Sequence, residues 1–225
     1  MNDEPSHKPS RPQLNDENYA RMTADLYDHI AGWYVRAFWK DETDSDWIEM
    51  CVSASQGDRN VADIGSGPGN YARVFLEAGH AVTCTDISIE MIRSAVSMLP
   101  TALGVVSDMR HLPFATASFG TVFCAYSLNH ISRQDVDSTL REFARVMRPD
   151  GVLCLLIKIG SQTYEFSSSG HPSTRGLMCL FDPAEILGAL GKLGIHPDVV
   201  QYKKDASTSE FQHEKMLIIG RHRPP

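Results

Sequence analysis

The chain is expected to fold as an α/β protein, a Rossmann-like doubly wound sheet with helices on both faces. Three observations lead there. Val61-Ala62-Asp63-Ile64-Gly65-Ser66-Gly67-Pro68-Gly69-Asn70 is a short apolar run ending in a carboxylate, a turn with glycines at alternate positions, and a helix opening. From that stretch to Ile159, strand-like and helix-like patterns alternate as a βαβ array does. Val152 to Ile159 is almost unbroken apolar sequence, which a central strand covered on both faces requires.

Taken in order, residues 1–16 hold three prolines and few apolar groups, too few to offset ordering entropy, and predict a disordered tail. From Tyr19 to Trp39, Met22, Leu26, Tyr27, Ile30, Trp33, Tyr34 and Phe38 recur at three- and four-residue steps. That spacing predicts an amphipathic helix, or two broken at Gly32. Asp46 to Val52 continues as helix. After the glycine turn, Asn70 to Ala78 is helical and stops at Gly79. Ala81 to Thr85 is a strand ending at Asp86, and Ser88 caps the next helix. Leu103 to Val106 and Thr121 to Ala125 are further strands. Ser132 is expected to cap a helix carrying Val136, Leu140, Phe143, Ala144 and Met147, and Pro149-Asp150-Gly151 turns the chain into the apolar strand. Asp182-Pro183 opens one more helix. Asp198 to Lys203 and Lys215 to Gly220 close the chain as a β-hairpin.

With 225 residues, 42% of them hydrophobic, one core can be buried. No apolar run is long enough to span a membrane, and the N-terminus lacks a secretory h-region. Five scattered cysteines without C-x-x-C spacing argue for a reducing cytoplasm, against disulfides and against a zinc site. A net charge of −7 without a basic cluster makes nucleic acid an improbable partner.

Asp63 and the glycines at 65, 67 and 69 resemble motif I of the class I S-adenosylmethionine-dependent methyltransferases, (D/E)-x-G-x-G-x-G. The dinucleotide fingerprint G-x-G-x-x-G would need its third glycine where Asn70 stands. Asp108-Met109 with Leu112-Pro113-Phe114 resembles the family's D-x-x-x-L-P-F segment. Ser127-Leu128-Asn129-His130 occupies its motif IV position, and Arg141 to Gly151 is similar to its post-motif helix and turn. Tyr27-Asp28-His29-Ile30-Ala31-Gly32-Trp33-Tyr34 resembles a Y-D-x-x-A-x-x-Y segment of small-molecule methyltransferases.

The resemblance implies a seven-stranded, three-layer sheet of order 3-2-1-4-5-7-6 with strand 7 antiparallel. It divides the chain into the tail, a helical lid over 17–56, and the methyltransferase domain over 57–225. It further implies S-adenosylmethionine as cofactor and S-adenosylhomocysteine as product. Asp63, Gly65, Ser66, Gly67 and Gly69 would cradle the methionine half. Asp86 would take the ribose hydroxyls, its alternative being a turn-capping aspartate. Ile87 would wall the adenine, with Asp108 and the Met109 N–H at its edge, and Met91 and Ser127 join the contacts. Tyr27 and Tyr34 either reach the cofactor from the lid or pack against the core.

His130 is the candidate catalytic base, because imidazole titrates near neutrality; the alternative is a histidine bonded to backbone. Gly160 to Phe181 is polar and glycine/serine-rich, and is expected to be a loop covering the acceptor. There Tyr164, Glu165, His171 and Arg175 would select a polar acceptor, unless the loop is a plain surface segment.

The expected function is methyl transfer to nitrogen or oxygen of a small molecule, by a monomer or homodimer. The alternatives are a tRNA or protein methyltransferase of the same fold, and a non-catalytic S-adenosylmethionine-binding partner or regulator. No metal is expected.

Overall fold

The computed structural model describes residues 16–168, 171–204 and 213–223, with the side chains of 16–18, 167–168 and 171–175 outside the described set. Of the tail expected over 1–16, only Asp16 is described, where it opens the first helix. Seven strands form one sheet: β1 (Asn60–Ile64), β2 (Ala81–Asp86), β3 (Leu103–Val106), β4 (Phe119–Ala125), β5 (Met147–Lys158), β8 (Ile195–Lys204) and β9 (Glu214–His222). Their order is β3-β2-β1-β4-β5-β9-β8, with β9 antiparallel to both neighbours. This is the predicted order, once β8 and β9 are read as its sixth and seventh strands.

The remaining two strands, β6 (Thr163–Ser168) and β7 (His171–Cys179), form a separate antiparallel ribbon. The segment expected as a loop is therefore largely a hairpin. Leu177 and Cys179 bury one face of it, while Gly176 lets Leu26 and Phe166 approach: a Cβ there would lie 2.5 Å from the Leu26 side chain.

Six helices accompany the strands: α1 (Asp16–Phe38), α2 (Ser45–Ala54), α3 (Asn70–Glu77), α4 (Ile89–Met98), α5 (Val136–Val146) and α6 (Pro183–Lys192). The apolar run of β5 divides between two cores with period two, as a pleated strand must. Leu153, Leu155 and Ile157 pack with Val136, Leu140, Phe143, Ile186 and Leu190 of α5 and α6. Val152, Cys154 and Leu156 pack with Trp47, Cys51, Phe75 and Ile92 of α2, α3 and α4. These two cores make the three layers. All five cysteines are buried free thiols.

Local chemistry sets the helix ends. Ser88 Oγ accepts the Met91 N–H, and Asp182 accepts the Ala184 N–H with Pro183 just inside the helix. Ser132 does not cap α5. The helix starts later, after Asp135, whose carboxylate is drawn off to Arg110. Helix α1 runs unbroken through Gly32. A mid-helix glycine costs about 1 kcal/mol, and the docking of α1 on α4 and β7 outweighs it. No helix among the described residues is long and apolar enough to cross a membrane.

Candidate cofactor and acceptor site

The carboxyl ends of β1, β2 and β4 open into a cavity roofed by α1. Its floor is the glycine turn, where Gly65, Gly67 and Gly69 all have positive φ (68°, 54° and 85°). Gly65 is also sterically required: a Cβ would lie 2.2 Å from Ser127 Cβ. Ser127 Oγ donates to the Gly65 carbonyl at 2.6 Å, tying the ends of β1 and β4 together. Gly67 donates its N–H to Asp86 at 2.9 Å. Gly69 differs from the expectation. It does not line the cavity but precedes α3 and packs against Leu99 and Ala95 of the neighbouring helix.

Three carboxylates stand along the strand ends. Asp63 is buried, and its Oδ2 has no hydrogen-bond partner among the described residues. Burial first, then the charge of Asp86, pushes its pKa up to about 8, with the Ala72 N–H pulling the other way. Asp86 is raised to about 6 by burial, against N–H donation from Ser88, Gly67 and Ile87. Asp86 is a turn cap, with Oδ1 taking the Ser88 N–H, and it also lines the cavity. Asp108 is gripped by Arg110, which reaches Asp135 at 2.9 Å with another nitrogen. Despite burial, the Arg110 hydrogen bonds keep Asp108 below the ordinary carboxylate range. Beside it, Ser107 Oγ is buried without a partner among the described residues. Ile87, Met91 and Met109 supply apolar wall.

The roof is fastened at several points. Asp28 of α1 accepts from Ser88 Oγ at 2.6 Å and from the Glu90 N–H at 3.1 Å, so it grips the start of α4. Tyr34 stands over Gly67, with 3.9 Å from its ring to the position a Cβ would take. The Tyr27 hydroxyl meets His130 Nε2 at 2.8 Å, and His130 Nδ1 lies 3.0 Å from the Leu177 carbonyl. Since a carbonyl only accepts, Nδ1 carries the proton and Nε2 accepts from Tyr27. Burial lowers the His130 pKa to about 4, with nearby Lys158 adding to it and the Leu177 bond opposing.

Asn129, beside it, bonds the Lys158 and Cys179 carbonyls and takes the Lys158 N–H, pinning the turn Ser127–His130 between β5 and the ribbon. Tyr126 is held at φ +62°, with its hydroxyl 2.5 Å from the buried Asp44, itself paired with Lys215. Strain of this kind persists where surrounding contacts over-determine it.

The structure thus brings Asp63, Gly65, Ser66, Gly67, Asp86, Ile87, Met91, Asp108, Met109, Ser127, Tyr27, Tyr34 and His130 to one cavity. Tyr164 is not part of its lining; its hydroxyl bonds Met178 Sδ and His213. Glu165 is exposed. The side chains of His171 and Arg175 lie outside the described residues. Sequence reasoning missed Tyr19, Asp28, Ser107, Arg110, Tyr126 and Asp135. Of these, Asp28 and Arg110 sat inside motifs already singled out, at positions the motifs leave open. Among the described residues no cluster of three or more His, Cys, Asp or Glu could hold a metal.

Residues 62–155 match the family model described as "Methyltransferase domain". The chain is 35% identical over 164 residues to a ubiquinone/menaquinone biosynthesis C-methyltransferase of Ralstonia pickettii, spanning 64% of this chain and 63% of that one. It is 33% identical over 94 residues to a malonyl-[acyl-carrier protein] O-methyltransferase of Pseudescherichia vulneris, covering 42% of this chain and 37% of the relative. The chain therefore spans less than two thirds of either relative. Among solved structures it is similar to a 1,6-didemethyltoxoflavin-N1-methyltransferase of Burkholderia thailandensis, determined with 1,6-didemethyltoxoflavin and S-adenosylhomocysteine. There the TM-score is 0.75 at 16% identity, over 95% of this chain and 93% of that one.

Proposed function

We propose, from the premise that this chain carries a class I S-adenosylmethionine-dependent methyltransferase domain, that it methylates a nitrogen or oxygen of a small molecule. One observation carries the reading: among the described residues a buried carboxyl oxygen of Asp63 has no partner, in the cavity that Gly65 and Gly67 also line. An ammonium group is the natural partner for such an oxygen, and a methionine moiety has one. Asp86 is placed to accept from ribose hydroxyls. Asp108, with the Met109 N–H and Ser107, offers acceptors and donors to an adenine edge.

The cofactor would supply a methyl group already activated on a sulfonium. What remains for the protein is alignment and exclusion of water. Helix α1 covers the cavity, and Tyr27 and His130 present a hydrogen-bonded pair where an acceptor would enter. With its pKa near 4, His130 stays neutral and is a weak base at pH 7. It can take a proton only as methylation makes the acceptor strongly acidic, so we assign it a relay role through Tyr27. Five free buried cysteines suit a cytoplasmic setting.

The test is calorimetric titration of S-adenosylhomocysteine into the wild type and an Asp86→Ala variant. Micromolar binding that the variant loses supports the reading, and no binding to folded wild type removes it. Labelled methyl appearing in tRNA or protein, and in no small acceptor, would move the acceptor class while leaving the chemistry.

A further inference from the structure

Among the described residues, three buried polar atoms along the cavity have no hydrogen-bond partner: Asp63 Oδ2, Ser107 Oγ and the Tyr19 hydroxyl. A buried polar group left unpaired is destabilising, so each marks a place where a ligand atom completes the structure. The proposed cofactor accounts for the first two, Asp63 above the glycine turn and Ser107 beside Asp108. It does not account for Tyr19. That residue sits near the N-terminal end of α1, 8% exposed, two helical turns before Tyr27, on a helix that packs against β7. It therefore lies on the side of the cavity where α1 meets the ribbon, as His130 does through its bond to Leu177.

Charge narrows what can bind there. The lining carries Asp63, Asp86, Asp108 and Asp135 against Arg110, which is engaged by Asp108 and Asp135. His130 is neutral, and Lys158, close enough to depress its pKa, is not in the lining. Among the described residues, an anionic acceptor would face the carboxylates of Asp86, Asp108 and Asp135 with Arg110 as the one lining guanidinium, already engaged by two of them. Tyr19, Tyr27 and Ile131 instead offer ring faces and apolar wall, which suit a flat molecule.

We propose that Tyr19 is a specificity-determining residue of the acceptor subsite, its hydroxyl hydrogen-bonding the polar edge of an uncharged aromatic acceptor: a phenol, a quinol or a nitrogen heterocycle. This rests on the methyltransferase reading above, and its test separates the two. Tyr19→Phe keeps the ring and removes the orphan hydroxyl. S-adenosylhomocysteine should bind wild type and variant alike in calorimetry. Without acceptor the variant should melt at the same temperature as wild type or higher, since it loses an unsatisfied buried group.

Methyl transfer is then followed with catechol, 1,4-dihydroxynaphthalene and 2-hydroxypyridine beside benzoate and phenyl phosphate. Wild type should turn over at least one of the neutral rings, and Tyr19→Phe should raise its KM about 5- to 10-fold with kcat nearly unchanged, the effect of one hydrogen bond. Turnover confined to the anions, turnover of none of the five, an unchanged KM, or a lower melting temperature overturns the assignment. Failure of wild type to bind S-adenosylhomocysteine overturns the methyltransferase reading instead.

Discussion

Asp63 should lose a proton when S-adenosylhomocysteine binds. Its pKa of about 8 in the unliganded fold leaves it about 0.9 protonated at pH 7. An ammonium set against the unpartnered Oδ2 favours the carboxylate, so binding at pH 7 should release about 0.9 proton and affinity should fall roughly 100-fold from the plateau above pH 8 down to pH 6. Asp86, at about 6, contributes little above pH 7. Calorimetry in phosphate, HEPES and Tris, whose ionisation heats differ, reads the released proton from the slope of apparent enthalpy. In Asp63→Asn the release should vanish and the pH dependence flatten. The unliganded fold should show the same linkage with a definite sign. Both carboxyls bind their proton more tightly folded than unfolded, so stability is fullest below about pH 3.9 as far as these groups go. That contribution is lost as pH rises through about 6 and then about 8. No proton release at pH 7, or equal release in Asp63→Asn, would refute the pairing.

Other perturbations read other parts of the machine. Asp28→Ala removes the acceptor for Ser88 Oγ and the Glu90 N–H, loosening α1. Stopped-flow should show S-adenosylhomocysteine leaving about 5- to 10-fold faster, as loss of one charge-assisted contact implies; an unchanged off-rate would mean the roof is held elsewhere. Gly65→Ala places a Cβ 2.2 Å from Ser127 Cβ at φ +68°. Urea denaturation should show a loss of more than about 2 kcal/mol, partly recovered by adding Ser127→Gly, and equal stability would contradict the crowding. Asp150 holds φ +58° at the entry to β5. Asp150→Gly should raise stability by about 0.5 kcal/mol through relief of that left-handed strain, and a lower melting temperature counts against it.

The sheet was legible because each strand carried its own signal. The period-two split of β5 between two cores is the physical meaning of its unbroken apolar run, and the turn glycines announced themselves by spacing. The seventh strand's reversal came only from resemblance, since a residue pattern does not state direction. The ribbon was misread because its glycine and serine content outweighed the alternation Tyr164, Phe166 against Leu177, Cys179. Asp135 hid the true start of α5 for another reason: its carboxylate serves Arg110, 25 residues away, rather than its own helix. Such side chains give no local pattern, because the partner that defines their role is distant in sequence. Asp28 with Ser88 and Tyr27 with His130 belong to the same class, at separations of 60 and 103 residues.

At His130 the structure shows the backbone bond that was one of two readings, and leaves the other ring nitrogen to the lid. A histidine has two ring nitrogens, and local sequence cannot divide them between backbone and cavity. The fold gives Nδ1 to the Leu177 carbonyl and Nε2 to Tyr27. The backbone bond fixes the tautomer, and only with Nδ1 protonated does Nε2 keep the lone pair that faces the lid. Anchoring is thus the condition for any chemistry at Nε2. The same burial that makes the anchor firm draws the pKa to about 4, so a precise position comes with low basicity. Under the proposed methyl transfer, whose donor would already be activated, that exchange is tolerable, because alignment would supply most of the acceleration.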